Sequence, residues 1–233
     1  MMVKKQKTCT ILLYLFLFLG FLIIPILGSQ AVSTLSGSVV TYPCVIVDAG
    51  HGGIDGGAVS CSGVHESEIN LQIALKLEDL FHLLGIQTLM VRDTDRSVHT
   101  EGQTIAAKKV SDIRERVRIA NTTPKALYVS IHQNKFTDPQ YYGAQVFYNS
   151  NSGSREVAES LQTAFRTYLD ANNKRQSKKA SGIYVMEHIN CTGILIECGF
   201  LSNPMEEANL RDDNYQKKIS CTIATTICQY LNA

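Results

Sequence analysis

Val45-Ile46-Val47-Asp48-Ala49-Gly50-His51-Gly52-Gly53 is an apolar, strand-type run that stops in a glycine-rich turn carrying one titratable ring. The same construction recurs twice. Tyr128-Val129-Ser130-Ile131 runs into His132-Gln133-Asn134, and Ile194-Leu195-Ile196 runs into Glu197-Cys198-Gly199. Short, nearly continuous apolar runs of this kind are the signature of strands buried on both faces.

Working outward, helical patterns fill the gaps between the runs. A helix is expected from Glu68, with Leu71, Ala74, Leu75, Leu80 and Leu84 on one side and Gly85 as its stop. A strand follows at Thr88 to Val91, then a polar loop with Asp93 and Asp95, then a charged helix over Ser111 to Ala120. After the run at Leu127 to Ile131, strands are expected at Ala144 to Tyr148, Gly182 to Met186 and Ile194 to Ile196. Helices are expected at Arg155 to Leu169 and Asn214 to Leu231. The alternation predicts an α/β domain with a mixed, mostly parallel sheet covered by helices on both faces.

In such a sheet, ligands bind outside the carboxyl ends of the strands. Two histidines and one glutamate therefore converge on one edge, and Glu66, just before the first helix, reaches the same edge. His51, His132 and Glu66 make a two-histidine, one-carboxylate set of the kind that holds catalytic zinc, with a fourth position left to water. The metal brings the pKa of that water to about 7. A further carboxylate must take its proton, and Glu197 has no competing role, so it is the expected general base. Asn134 or a backbone N–H is placed to assist the oxyanion.

Rival readings of these residues fail on spacing. Gly50, Gly52, Gly53, Gly56 and Gly57 resemble a dinucleotide loop, but Asp55 stands where G-x-G-x-x-G needs its third glycine. His65-Glu66 begins like H-E-x-x-H, but Ile69 occupies the second histidine position. His65, His82, His99 and His188 are read as surface or structural. Neither Cys61 nor Cys198 has the helix-start and histidine partnership of a cysteine nucleophile, and Cys198 is expected to fill space beneath its turn.

Bulk properties limit the partners and the compartment. A formal charge of +1 leaves no basic excess for nucleic acid. The cluster from Lys174 to Lys179 reads as a solvated loop. Lys4, Lys5 and Lys7 precede an uncharged apolar run from Ile11 to Leu27, so residues 1–28 are an export signal or an uncleaved membrane anchor. Residues 29–43 read as a linker and 44–233 as a single domain. Cys9 precedes the apolar run, which argues against lipidation. The other cysteines lack the paired spacing of a zinc knuckle, and Cys44, Cys221 and Cys228 are expected as small buried hydrophobes.

Together, Asp48-Ala49-Gly50-His51-Gly52-Gly53-Ile54-Asp55-Gly56-Gly57-Ala58, Glu66, Ser130-Ile131-His132-Gln133-Asn134 and Glu197-Cys198-Gly199-Phe200-Leu201-Ser202-Asn203 resemble the zinc-dependent N-acetylmuramoyl-L-alanine amidases. The resemblance runs from about Val45 to Leu231 and keeps the family's motif order. It implies a three-layer αβα fold and zinc on His51, Glu66 and His132, with Glu197 catalytic. The implied substrate is the amide joining N-acetylmuramic acid to the L-alanine of the peptidoglycan stem peptide. Glu101-Gly102-Gln103-Thr104, Asp112-Ile113-Arg114-Glu115-Arg116-Val117 and Gly182-Ile183-Tyr184-Val185-Met186 look most like the germination-specific subtype. That subtype strips spore-cortex peptidoglycan toward muramic-δ-lactam, in the intermembrane space of the developing spore.

Ala49, Gln133, Lys135 and Cys198 depart from common family residues without removing a ligand. Changes around a metal site shift its affinity by roughly 10 to 100-fold, so an accessory protein that tightens the site is compatible with them, although no motif in the chain specifies one. Two other functions fit the same ligand set. A zinc carboxypeptidase needs an arginine clamp, for which Arg92 and Arg96 are the nearest residues, expected to be solvated. A non-catalytic wall-binding relative would keep the fold without turnover.

Overall fold

The computed structural model describes residues 44–233. The export segment at 1–28 and the linker at 29–43 lie outside the described residues.

Six strands form one sheet: β1 (Val45–Ala49), β2 (Thr88–Met90), β3 (Leu127–Asn134), β4 (Gln145–Tyr148), β5 (Lys178–Lys179) and β6 (Thr192–Phe200). Their order is β2-β1-β3-β6-β4-β5. β2, β1, β3 and β6 run parallel, and β4 turns antiparallel against β6 with β5 parallel to it. The sheet is mixed and mostly parallel, as the sequence predicts. Six helices accompany it among the described residues: α1 (Glu66–Leu83), α2 (Ile105–Thr122), α3 (Ser154–Tyr168), α4 (Tyr184–His188), α5 (Pro204–Arg211) and α6 (Asp213–Leu231).

Side chains alternate across the strands and feed two separate cores. Val45, Val47, Leu127, Val129, Ile131, Ile194 and Ile196 join the larger cluster with Ile73, Leu77, Phe81, Phe165, Ile223 and Ile227 from α1, α3 and α6. Ile46, Tyr128 and Leu195 point the other way, into a smaller cluster with Ala120 of α2 and Met186 of α4. Helices therefore cover both faces of the sheet, giving three layers.

Several expectations need correcting. α1 buries Ile69, Ile73, Ala74, Leu77 and Phe81, whereas Leu71, Leu75 and Leu80 are only half-buried and Leu84 is exposed. The four-residue ladder Ile69-Ile73-Leu77-Phe81 carries bulkier groups than the stripe read from the leucines. α2 starts at Ile105, well before Ser111, because the Thr104 hydroxyl caps it by accepting from the N–H of Ala107 at 3.1 Å. Gly182 to Met186 is not a strand. Gly182 has φ +75° and donates its N–H to Glu187 Oε1 at 2.6 Å, which closes a turn into α4.

β5 and α5 have no counterpart in the sequence reading. α5 has Pro204 in its first turn and Asn203 as its cap, the side chain accepting from Met205 and Glu206. Within the Lys174–Lys179 cluster, Lys178 and Lys179 form an exposed edge strand rather than a loop. Cys221 is exposed, because the buried stripe of α6 runs through Ile219, Ile223 and Ile227; Cys44 and Cys228 are only partly buried. Cys198 is buried as expected.

Candidate metal centre and active site

β1, β3 and β6 end side by side, with His132 of β3 directly paired in register with Glu197 of β6. His51 follows β1, and Glu66 opens α1, so four separate elements deliver the predicted residues to one edge. His51 Nε2 lies 3.3 Å from Glu66 Oε2, and His132 Nδ1 lies 3.0 Å from Glu66 Oε1. The two imidazole centroids are 5.1 Å apart. One ligand atom from each of His51, Glu66 and His132 falls within 4.8 Å of the others, a spacing fit for a single divalent ion.

The glycines of the first turn are required by this crowding. A Cβ on Gly50 would sit 2.3 Å from His132 Nε2, and one on Gly57 would sit 2.7 Å from Glu66 Oε2. His51 itself adopts φ +61°, an uncommon conformation for a residue with a side chain. Strain of this kind persists only where surrounding contacts impose it.

Those contacts come from residues the sequence reading left without a role. Asp55 Oδ2 lies 2.9 Å from His51 Nδ1 and turns Nε2 toward Glu66. Lys109 pairs with the other Asp55 oxygen at 2.8 Å. Beneath the turn, Arg116 donates to the carbonyls of Ala49 and His51 and pairs with both Asp112 and Asp48. Asp48 also accepts from Tyr128 and Ser130, at 2.5 and 2.8 Å. Arg92 is fully buried, not solvated, and spends its guanidinium on the carbonyls of Ala49, Gly50, Ser67 and Thr94. It therefore has no free fork for a substrate carboxylate. Arg96 is largely exposed and pairs with Asp93. Asp48, Asp55, Asp112 and Arg116 stand in the motif stretches quoted above, whereas Lys109 and Arg92 stand outside them.

Electrostatics follow from this packing. Burial opposes a charged His51, but the carboxylates of Glu66 and Asp55 outweigh it and lift the pKa to about 9. Burial likewise disfavours the Glu66 carboxylate, yet the two imidazoles hold it far below its ordinary range. Glu197 is lifted to about 7, first by burial and also by the nearby Glu66 charge, against the pull of His132. Its Oε2 is shielded from solvent and has no hydrogen-bond partner among the described residues. Asn134 ends β3 half-buried; its carbonyl accepts from Leu201 at 2.8 Å and its side chain makes no hydrogen bond among the described residues.

Of the other candidates, His65 and His82 are exposed, His99 bonds to Ser97, and His188 stacks on Tyr184. Burial pushes the Cys198 thiol far up, away from nucleophile chemistry.

An α/β sheet whose carboxyl edge gathers two histidines and a carboxylate within reach of one ion, with a second, buried carboxylate beside them, has the constellation of a metal-assisted hydrolase. The particular family follows from comparison: a profile described as N-acetylmuramoyl-L-alanine amidase matches residues 45–229, and the chain belongs to that family of peptidoglycan hydrolases. It is 36% identical over 198 residues to the germination-specific N-acetylmuramoyl-L-alanine amidase of Bacillus subtilis, covering 84% of this chain and 81% of the relative. The CwlD amidase of Clostridioides difficile, solved in complex with the GerS lipoprotein, superposes with a TM-score of 0.78 at 37% identity, over 82% of this chain and 98% of that one. A second N-acetylmuramoyl-L-alanine amidase structure, from Clostridium difficile 630, gives a TM-score of 0.72 at 28% identity, over 83% and 98%.

Proposed function

We propose that this chain is a zinc-dependent amidase that cleaves the bond between N-acetylmuramic acid and L-alanine in spore-cortex peptidoglycan, as a step toward muramic-δ-lactam. The observation that carries the reading is the unpartnered Glu197 oxygen beside the His51–Glu66–His132 cluster. A buried carboxylate without a donor is costly unless a ligand or reacting group meets it. The cortex assignment draws on the likeness to the germination-specific relative.

In this reading His51, Glu66 and His132 hold the zinc, a donor set that suits it. When bound, the ion supplies Lewis-acid activation of the amide carbonyl and acidifies water. Asp55 fixes the orientation of His51. Glu197 takes the proton of the attacking water and passes it to the departing amine nitrogen of L-alanine, a transfer suited to a group poised near neutral pH. Asn134 offers a free amide beside the developing oxyanion.

Residues 1–28 export the chain to the cell envelope, cleaved or kept as an anchor, and 29–43 link them to the catalytic domain at 44–233. In a developing spore that places the domain in the intermembrane space. An accessory protein is part of the proposal, by analogy with the CwlD relative solved in complex with the GerS lipoprotein.

The test is product analysis on cortex peptidoglycan with purified protein. Mass spectrometry should find free lactyl groups and intact stem peptides, lost on chelation and restored by zinc. Release of single carboxy-terminal amino acids instead would point to a carboxypeptidase, a reading that the engaged Arg92 already disfavours.

A further inference from the structure

Beyond the His132–Glu197 pair the register shifts, and the next partners are Asn134 and Phe200, two residues on along β3 and three along β6. Two to three residues of strand span about 7 to 10 Å. At that point the chain builds an aromatic shelf. Phe200 is fully buried, covered by Phe136 at a centroid distance of 5.7 Å and an interplanar angle of 18°, and by Tyr141 at 6.3 Å and 28°. The covering rings are not themselves covered: Phe136, Tyr141 and the adjacent Tyr142 remain 49%, 43% and 45% exposed.

The shelf is held in place from behind. Ser202 Oγ accepts from the N–H of Phe136, Asn203 Nδ2 donates to the carbonyls of Pro139 and Tyr141, and Glu206 accepts from Gly143. Arg175 lies 4.3 Å above the Phe200 ring and donates to the carbonyl of Tyr142 at 2.7 Å. Gln140, Tyr141, Tyr142, Lys174 and Arg175 line a shallow recess of about 360 Å³ at its rim. Rigid, half-exposed aromatic faces clustered beside polar donors mark a binding surface rather than ordinary solvent exposure.

We infer that this shelf binds the glycan strand of the substrate, stacking pyranose rings that flank the muramic acid being processed. The inference rests on the amidase reading of the adjoining site and names a second contact for the same polymer. Two properties select this occupant. The axial C–H face of an N-acetylhexosamine is apolar and flat enough to lie on Phe136 and Tyr141, while its hydroxyl and acetamido groups meet the donors at the rim. The shelf also begins two to three residues beyond the His132–Glu197 pair on the same two strands, so a sugar chain anchored there stays connected to the scissile amide.

The experiment compares the full-length parent with Phe136→Ala/Tyr141→Ala and with Phe136→Trp. Each is assayed on polymeric cortex glycan and on a single disaccharide carrying the stem peptide. Each is also titrated calorimetrically with the N-acetylglucosamine tetramer. The double alanine variant should lower the polymer-to-disaccharide ratio of kcat/KM by about 10-fold or more through KM, the worth of one lost aromatic contact. It should also lose the heat of tetramer binding, whereas Phe136→Trp keeps both. An unchanged ratio, an equal loss on both substrates, or failure of the parent to bind the tetramer would overturn the inference. If the parent binds the tetramer through these rings but releases no lactyl groups, the amidase reading fails and the glycan shelf stands.

Discussion

The two faces of the sheet are built on opposite plans. The face under α1, α3 and α6 is apolar and periodic, with Ile73, Leu77, Phe81, Phe165, Ile223 and Ile227 interlocked over β1, β3 and β6. The face under α2 and α4 holds a smaller apolar cluster, and toward the strand ends it gives way to Asp48, Ser130, Arg116 and Asp112, joined by ion pairs and hydrogen bonds. Strand alternation places His132 and Glu197 on this second side with Tyr128, Ser130 and Leu195. The first face supplies stability through area removed from water, and the second spends buried polar groups on holding a strained turn in position.

Predictions that sharpen this contrast begin with the chemistry. Glu197→Gln should fold, retain zinc and lose about 10² to 10⁴ in kcat, the usual worth of a general base. Lactyl release at the parental rate would remove the role assigned to it. The largest effect on folding should come from Arg116→Met, which strands Asp48 without its cation; breaking a buried pair costs about 3–5 kcal/mol. Chemical denaturation checks this, and adding Asp48→Asn should recover a large part of the loss.

Asp55→Asn should leave stability nearly intact and weaken zinc binding by roughly 10 to 100-fold, measured by chelator competition. Zinc must also displace the proton that His51 carries below a pKa of about 9. Parental affinity should therefore rise with pH, by about tenfold per unit up to that value, with proton release on binding. A flat profile would mean that His51 binds no metal. On the opposite face, Ile73→Val should cost only about 0.5–1.5 kcal/mol and leave zinc affinity unchanged.

The same contrast explains what was legible in the sequence. Buried strands write themselves as Val45-Ile46-Val47 or Ile194-Leu195-Ile196, and a titratable residue at the end of such a run stands out. The sheet and the meeting of His51, Glu66, His132 and Glu197 at its edge were therefore readable. Arg92 and Arg116 were not, because a buried arginine and a solvated one look identical until the carbonyls it serves are known. α4 was missed for a different reason: Ile183-Tyr184-Val185-Met186 has strand composition, and only the left-handed Gly182 and its bond to Glu187 turn it into a helix. α5 hid because Met205 projects into solvent and spoils its periodicity, although the Asn203-Pro204 start was in plain view.

Zinc titration of His51→Ala, Glu66→Ala and His132→Ala beside the parent tests the account most directly. A single tight site per chain in the parent, weakened at least about 100-fold in every one of the three variants, is the predicted result. A parent that takes up no zinc while hydrolysing peptidoglycan, or any variant that binds zinc as tightly as the parent, would contradict it.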